Sequence, residues 1–269
     1  MSYLTLKLRE RLSQRVDMSP FLPEALAGKQ ADEIARIPLW LGNRKVDSGE
    51  LFAIDGKGSE QILIQSECDC LDRIGANMTG GNIRIEGNAG AYLGCGMRSG
   101  VIQVSGNLGV GGGCAMSGGT LIIEGNAGDF LGGAITGERQ GMRGGTIVLK
   151  GNAGHRAGDL MRRGTILIGG ACGDYCGSRM VAGSVVVLGQ CGFQTGMGMR
   201  RGTLILTQQP NSMPATFNDN GRQDLNFLPL LTQSFKDHAP FSKLRDRGSQ
   251  VHRWLGDLSC DGKGEILIY

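Results

Sequence analysis

From residue 82 onward, apolar and polar residues alternate in short runs that return at a fixed interval: NIRIE, VIQVS, TLIIE, TIVLK and TILIG. Successive strand residues point to opposite faces, so this period-2 pattern predicts short strands whose alternate aliphatics, such as Ile83 and Ile85, face a common interior. Methionine marks the interval, recurring at 78, 97, 116, 142, 161, 180 and 199 in steps of 19, 19, 26, 19, 19 and 19. Numbered from that Met, glycine fills unit position 4 in all seven units and positions 10, 13 and 17 in the first six, for example Gly87, Gly90 and Gly94. The long step is one unit plus seven extra residues around Gly133 to Gly141.

A 19-residue unit with one strand and glycine corners is too short for a propeller blade and has no helical stretch for a leucine-rich or tetratricopeptide repeat. It predicts an all-β fold, a single-stranded parallel β-helix of about seven coils stacked at ~4.8 Å and wound right-handed as crossovers usually are. In this reading residues 1–58 are an N-terminal cap, 59–207 the β-helix with clear repeats from 78, and 208–269 a C-terminal tail and cap. Leu4 to Leu8 reads as a strand, Pro23 to Arg36 as one or two helical turns, 59–77 as a degenerate first coil, and GEILIY as a last strand. Glycine at the corners is expected to supply positive φ, at Gly128 and Gly173 among others, and to let successive coils approach without a Cβ clash. The Met column is expected in the core. Position 11 (Asn88, Asn107, Asn126, Asn152, Ala171, Gln190) is expected to be a structural ladder between coils.

Composition removes the alternatives. Glycine is 47 of 269 residues, 17%, and residues 78–207 hold 36 of them, but without a triplet period and with only 7 prolines in the chain, so collagen is excluded. With 40% apolar residues the chain is expected to fold. No apolar run approaches the ~20 residues of a membrane span, and charges at Lys7, Arg9, Glu10 and Arg11 interrupt any secretory h-region, so a cytoplasmic location is expected. The eight cysteines are then expected to be free thiols, and neither CDC at 68–70 nor CxxxC at 172–176 has zinc or cluster spacing. A net charge of +3 is too small to make nucleic acid the default partner. The three histidines have no HExxH context, and GxSxG and GxxxxGK[ST] are missing. Whether to class the chain as an enzyme is left open by its residues, with no activity expected of it alone and no catalytic, cofactor or metal residue assigned. A hexapeptide acyltransferase would need an 18-residue coil and a catalytic histidine.

Three features exceed what a bare scaffold needs. Unit position 2 holds Arg98, Arg143, Arg162 and Arg200, with Arg163 and Arg201 at position 3, and stacked like charges repel. The insert GAITGERQG, with Glu138 and Arg139, must bulge from one corner, where repeat proteins place contacts. Position 7 carries Ile122, Val148, Leu167, Val186 and Ile205 on the outward strand face, an apolar patch that either the C-terminal tail or a second subunit must cover. All three are candidate interface elements.

With the repeat in hand, units such as GTIVLKGNAGHRAGDLMRRGTILIGGACGDYCGSRM resemble the GXGXG-type β-helix family, which includes the C-terminal domain of the glutamate synthase large subunit and the C subunit of formylmethanofuran dehydrogenase. The opening LTLKL, the run WLGNRKVDSGELFAIDG and the closing GDLSCDGKGEILI are similar to that C subunit. The same subunit also occurs in the formyltransferase/hydrolase complex, the version favoured here. The resemblance implies a non-catalytic scaffold subunit packed against amidohydrolase-like and formyltransferase subunits. The complex would move a formyl group between tetrahydromethanopterin and a methanofuran-type carrier and release formate, with both carriers held by partner subunits and no cofactor in this chain. The alternatives are the C subunit of a tungsten or molybdenum formylmethanofuran dehydrogenase, or a glutamate-synthase-type GXGXG protein. The last would need a long amidotransferase and flavin-binding chain upstream, which a 269-residue sequence starting at Met1 is not expected to have.

Overall fold

The alternating runs lie side by side as parallel strands, paired in the register of the methionine interval. In a computed structural model that describes residues 3–269, Ile83, Ile102, Leu121, Ile147, Ile166, Val185 and Leu204 are successive partners across the stack. Strand Gln61–Ser66 adds below with Ile62 opposite Ile83, and Leu4–Leu8 adds below that with Leu4 opposite Ile62. At the other end Gly264–Ile268 adds in parallel, Ile266 opposite Leu204. The expected first coil and both terminal strands are thus present, and the result is an all-β, β-helix-like stack. Three antiparallel strands finish the 13-stranded sheet: Phe52–Asp55 at one end, Gln250–Gly256 and Asn218–Asp224 at the other. The short helices Pro23–Leu26 and Ala31–Ala35 fall where helical turns were expected. No helix among the described residues is long and apolar enough to cross a membrane.

Every methionine of the column is fully buried, so the thioether stack is core filler. The position-11 ladder works chiefly from side chain to backbone: the Oδ1 atoms of Asn88, Asn107, Asn126 and Asn152 each accept the N–H of the next coil's residue at 2.8 Å. A second ladder runs at position 14, where Asp129 Oδ1 accepts the His155 N–H, His155 Nδ1 the Asp174 N–H, and Asp174 Oδ1 the Phe193 N–H. His155 is therefore a ladder member. Asn126→Ala removes an acceptor that Asn126→Asp keeps, so the alanine variant should lose ~1 kcal/mol in denaturant unfolding and the aspartate variant less.

The corner glycines divide into two kinds, which corrects the expectation. Positions 4 and 17 carry positive φ, as at Gly164 (+101°) and Gly177 (+65°). Gly128 and Gly173 at position 13 do not; a Cβ on Gly173 would lie 2.9 Å from the Gly154 carbonyl carbon and the His155 nitrogen of the coil below. Close stacking, rather than a left-handed dihedral, requires glycine there. Position 15 instead holds left-handed residues with full side chains, including Tyr92, Phe130, Arg156 and Tyr175.

The outward apolar face is covered by the chain's own tail. Val148, Leu167, Val186 and Ile205 are 2% exposed or less and pack with Leu228, Phe235, Phe241, Leu244 and Val251, while Ile122 at the margin stays half-buried. These four residues are therefore not a free subunit interface: the segment 208–253, polar in composition, brings enough apolar side chains to bury them.

The cysteines follow their columns, with one departure. Cys68 and Cys70 are joined as a disulfide, against the expectation of free thiols throughout. Cys114, Cys172, Cys176 and Cys191 are buried, and Cys95 and Cys260 half-buried. Burial pushes the Cys114 thiol up to about 12 and raises Cys95 and Cys260 as well. Because the thiolate is the reactive species, a thiol reagent near neutral pH should label the native protein slowly and only at Cys95 and Cys260, faster as pH rises, and reach all six free cysteines in denaturant. Mass spectrometry of the labelled peptides would check this.

Candidate functional site

The arginine column forms a charged flank of the stack. Its position-2 residues are held by the coil below: the N–H groups of Arg98, Arg143, Arg162, Val181 and Arg200 donate to the carbonyls of Met78, Met116, Met142, Met161 and Met180, at 2.7 to 2.8 Å. The buried methionine of one coil thus fixes the arginine of the next, and the side chains follow each other along the stack. Arg143 also pairs in register with Arg163. Two adjoining clefts share Arg143. One, of about 490 Å³, is lined by Arg143, Arg162, Arg163, Val181, Ala182, Arg200 and Arg201. The other, of about 470 Å³, lies beneath the insert, where Ile135, Glu138 and Gln140 meet Arg73, Tyr92, Cys95, Arg98 and Arg143.

The structure therefore brings together Arg98, Arg143, Arg162, Arg200 and Glu138. Arg139 is exposed on the insert and lines neither cleft. Ile122 and the four tail-covered aliphatics belong to the outward strand face and line neither cleft. The insert leaves the stack between Gly133 and Met142, anchored by Gly141 N–H to Leu160 O and Met142 N–H to Gly132 O, both 2.9 Å.

Seven arginines line the two clefts, Arg73, Arg98, Arg143, Arg162, Arg163, Arg200 and Arg201, and none is among the ion pairs of the described residues. Arginine stays charged at any physiological pH and offers a planar fork of donors to carboxylate or phosphate. At ~4 to 5 Å in water two like charges repel by about 1 kcal/mol, so the stack gains from an anion laid along it. Sequence reasoning missed Asp159. Almost fully buried at unit position 18, it accepts from Ser178 Oγ at 2.6 Å and from both Arg179 Nε and Nη2, and it holds the Arg179 guanidinium pKa above its ordinary value. Shared column positions of Asp159, Ser178 and Cys95 were the available signal. Among the described residues no group of three His, Cys, Asp or Glu is placed to hold a metal ion.

Fold and flank together define a glycine-cornered parallel β-stack that presents one cationic surface. The GXGXG motif family profile matches residues 83–223, just over half of the chain, and the chain belongs to that family. A chain in the X-ray crystal structure of the formyltransferase/hydrolase complex (FhcABCD) from Methylorubrum extorquens in complex with methylofuran superposes with a TM-score of 0.91 at 40% identity, covering 98% of both chains. The C subunit of that organism's formyltransferase/hydrolase complex is 42% identical over 89 residues, 33% of this chain and 34% of the relative. The C subunit of tungsten-containing formylmethanofuran dehydrogenase 2 from Methanococcus maripaludis is 35% identical over 95 residues, 35% of each. The sequence matches thus span about a third of these curated relatives, whereas the structural match spans nearly the whole length of the solved chain.

Proposed function

We propose that this chain is the non-catalytic scaffold subunit of a one-carbon formyltransferase/hydrolase complex. In it a formyl group passes between tetrahydromethanopterin and a methanofuran-type carrier and leaves as formate, the carriers being bound by amidohydrolase-like and formyltransferase partner subunits. The carrying observation is the near-complete structural match, at 40% identity, to a chain of FhcABCD. The columns support it, since the methionines, asparagines, glycines and His155 that recur along the stack are engaged in building coils. We place the assembly in the cytoplasm, take residues 1–58 and 208–269 as caps on the 59–207 body, and read the stack as about seven right-handed 19-residue coils. The arginine flank, with Glu138 and Arg139 of the insert, is the surface we assign to partners.

The redox relatives are the second reading, favoured by their match over a similar length. Purification of the native complex separates the two: formate release without tungsten or molybdenum is expected, and stoichiometric tungsten or molybdenum would overturn the hydrolase assignment in favour of the dehydrogenase.

A further inference from the structure

Within the flank, one stretch has no counterbalancing charge. At unit positions 2 and 3 successive coils place Arg162 and Arg163, then Val181 and Ala182, then Arg200 and Arg201, with Arg143 one coil behind. The result is a notch with a small apolar floor and a pair of guanidiniums on each side. All five arginines are exposed, every charged residue lining the notch is an arginine, and none of them is ion-paired among the described residues. Four arginines elsewhere are ion-paired: Arg15 with Asp72, Arg84 with Glu86, Arg179 with Asp159 and Arg253 with Glu265. The neighbouring cleft differs, because Glu138 there stands among Arg73, Arg98 and Arg143.

Geometry selects the occupant. The two arginine pairs are rooted two coil steps apart, roughly 9.6 Å between backbones at the usual strand spacing. An extended polypeptide rises about 3.3 to 3.6 Å per residue, so acidic side chains two residues apart share one face about 7 Å from each other, and the long arginine side chains close the remaining distance to both walls. Val181 and Ala182, half-buried and short, leave room for that backbone to cross the floor. Each exposed ion pair contributes only ~0 to 1 kcal/mol, so a lone small anion gains little, whereas a segment tethered to a larger interface engages several arginines together.

We propose that this notch docks an acidic segment of a partner subunit, with carboxylates bidentate on Arg162 or Arg163 at one wall and Arg200 or Arg201 at the other. Glu138, at the insert end of the flank, disfavours extension of the same acidic segment into the neighbouring cleft. The proposal rests on the reading of this chain as a subunit of the complex.

The test uses the complex assembled from its co-expressed subunits, with affinity followed against salt concentration. Arg163→Glu with Arg201→Glu should weaken assembly roughly tenfold or more at low salt and flatten its salt dependence, with the melting temperature of the isolated chain unchanged because both residues are exposed. Arg163→Lys with Arg201→Lys should fall between, since lysine keeps the charge and loses the fork. Arg84→Glu with Lys150→Glu, an equal charge change elsewhere, should assemble like the wild type. Wild-type assembly together with normal assembly of the Arg163/Arg201 reversal at every salt concentration would overturn the notch and leave the functional reading standing. Failure of the wild type itself to join formyltransferase and hydrolase subunits would overturn both. Inorganic phosphate titrated into the isolated wild type should bind no better than to the reversal variant; tight phosphate binding that needs Arg163 and Arg201 would make the notch a free-anion site and overturn the docking assignment.

Discussion

Leu167→Asp should destabilise the isolated chain by at least ~3 kcal/mol, a large share of the ~5 to 15 kcal/mol that holds a typical domain together. Leu167 is fully buried on the outward face of its strand, in a cluster with Val186, Ile205, Leu228, Phe241 and Leu244. A carboxylate there has no cationic partner within the cluster and resists ionisation. Its folded-state pKa would stand above the unfolded value, so the penalty should grow as pH rises through neutrality and shrink in mild acid. Urea unfolding of the purified chain at two pH values reads both effects. Were the face covered by another subunit, the same substitution would leave the isolated chain within ~0.5 kcal/mol of wild type, as surface changes do. Phe241→Ala, which removes the cover instead of the floor, should cost ~3 to 5 kcal/mol by the same logic.

Gly173→Val should be the second severe change, and for a reason other than torsion. The added Cβ would come within 2.9 to 3.0 Å of the backbone of Gly154 and His155, and backbone held by ladder bonds on both sides has little freedom to withdraw. Separating two coils would also strain the bonds from Gly173 N–H to Ala153 O at 3.1 Å and from Asp174 N–H to His155 Nδ1 at 2.9 Å. Overpacking typically costs ~1 to 3 kcal/mol, and the upper end is expected here because the obstacle is main chain. Gly221→Ala is the contrasting variant: φ is +67° but nothing lies within 4 Å of the new Cβ, so only the ~1 kcal/mol torsional cost should appear. Equal melting temperatures for the two variants would contradict the stacking argument.

Legibility along the chain followed periodicity. The Met column, the strand at each coil, the asparagine ladder, the degenerate first coil and both terminal strands repeat a letter or a pattern, so the eye finds them before any coordinates. The position-14 ladder was hidden because its members are Asp129, His155 and Asp174, chemically equivalent as acceptors but not identical in letter. The tail's role was left open for a similar reason: Leu228, Phe235, Phe241, Leu244 and Val251 are spread without period among polar residues and prolines, and only tertiary packing shows that they face one way. The patch they cover was legible, and its cover was left between two candidates. Position-13 glycines were given positive φ along with close stacking because sequence cannot separate a residue chosen for φ from one chosen for absence of a side chain. At the candidate site, the arginines and the insert were legible as separate features. Their meeting at Arg143, between two clefts, follows from the insert leaving the stack at the corner next to unit position 2.

The central claim is that this chain builds and orients a formyl-transferring assembly without performing its chemistry. Formate release from formyl-tetrahydromethanopterin in the presence of a methanofuran-type carrier tests it most directly, measured on the isolated chain, on the partner subunits without it, and on the complete complex. No release is expected from the chain alone, full release from the complex, and impaired release from the partners without it. Formate production by the isolated chain at the rate of the complex, or a complex fully active without it, would contradict that claim.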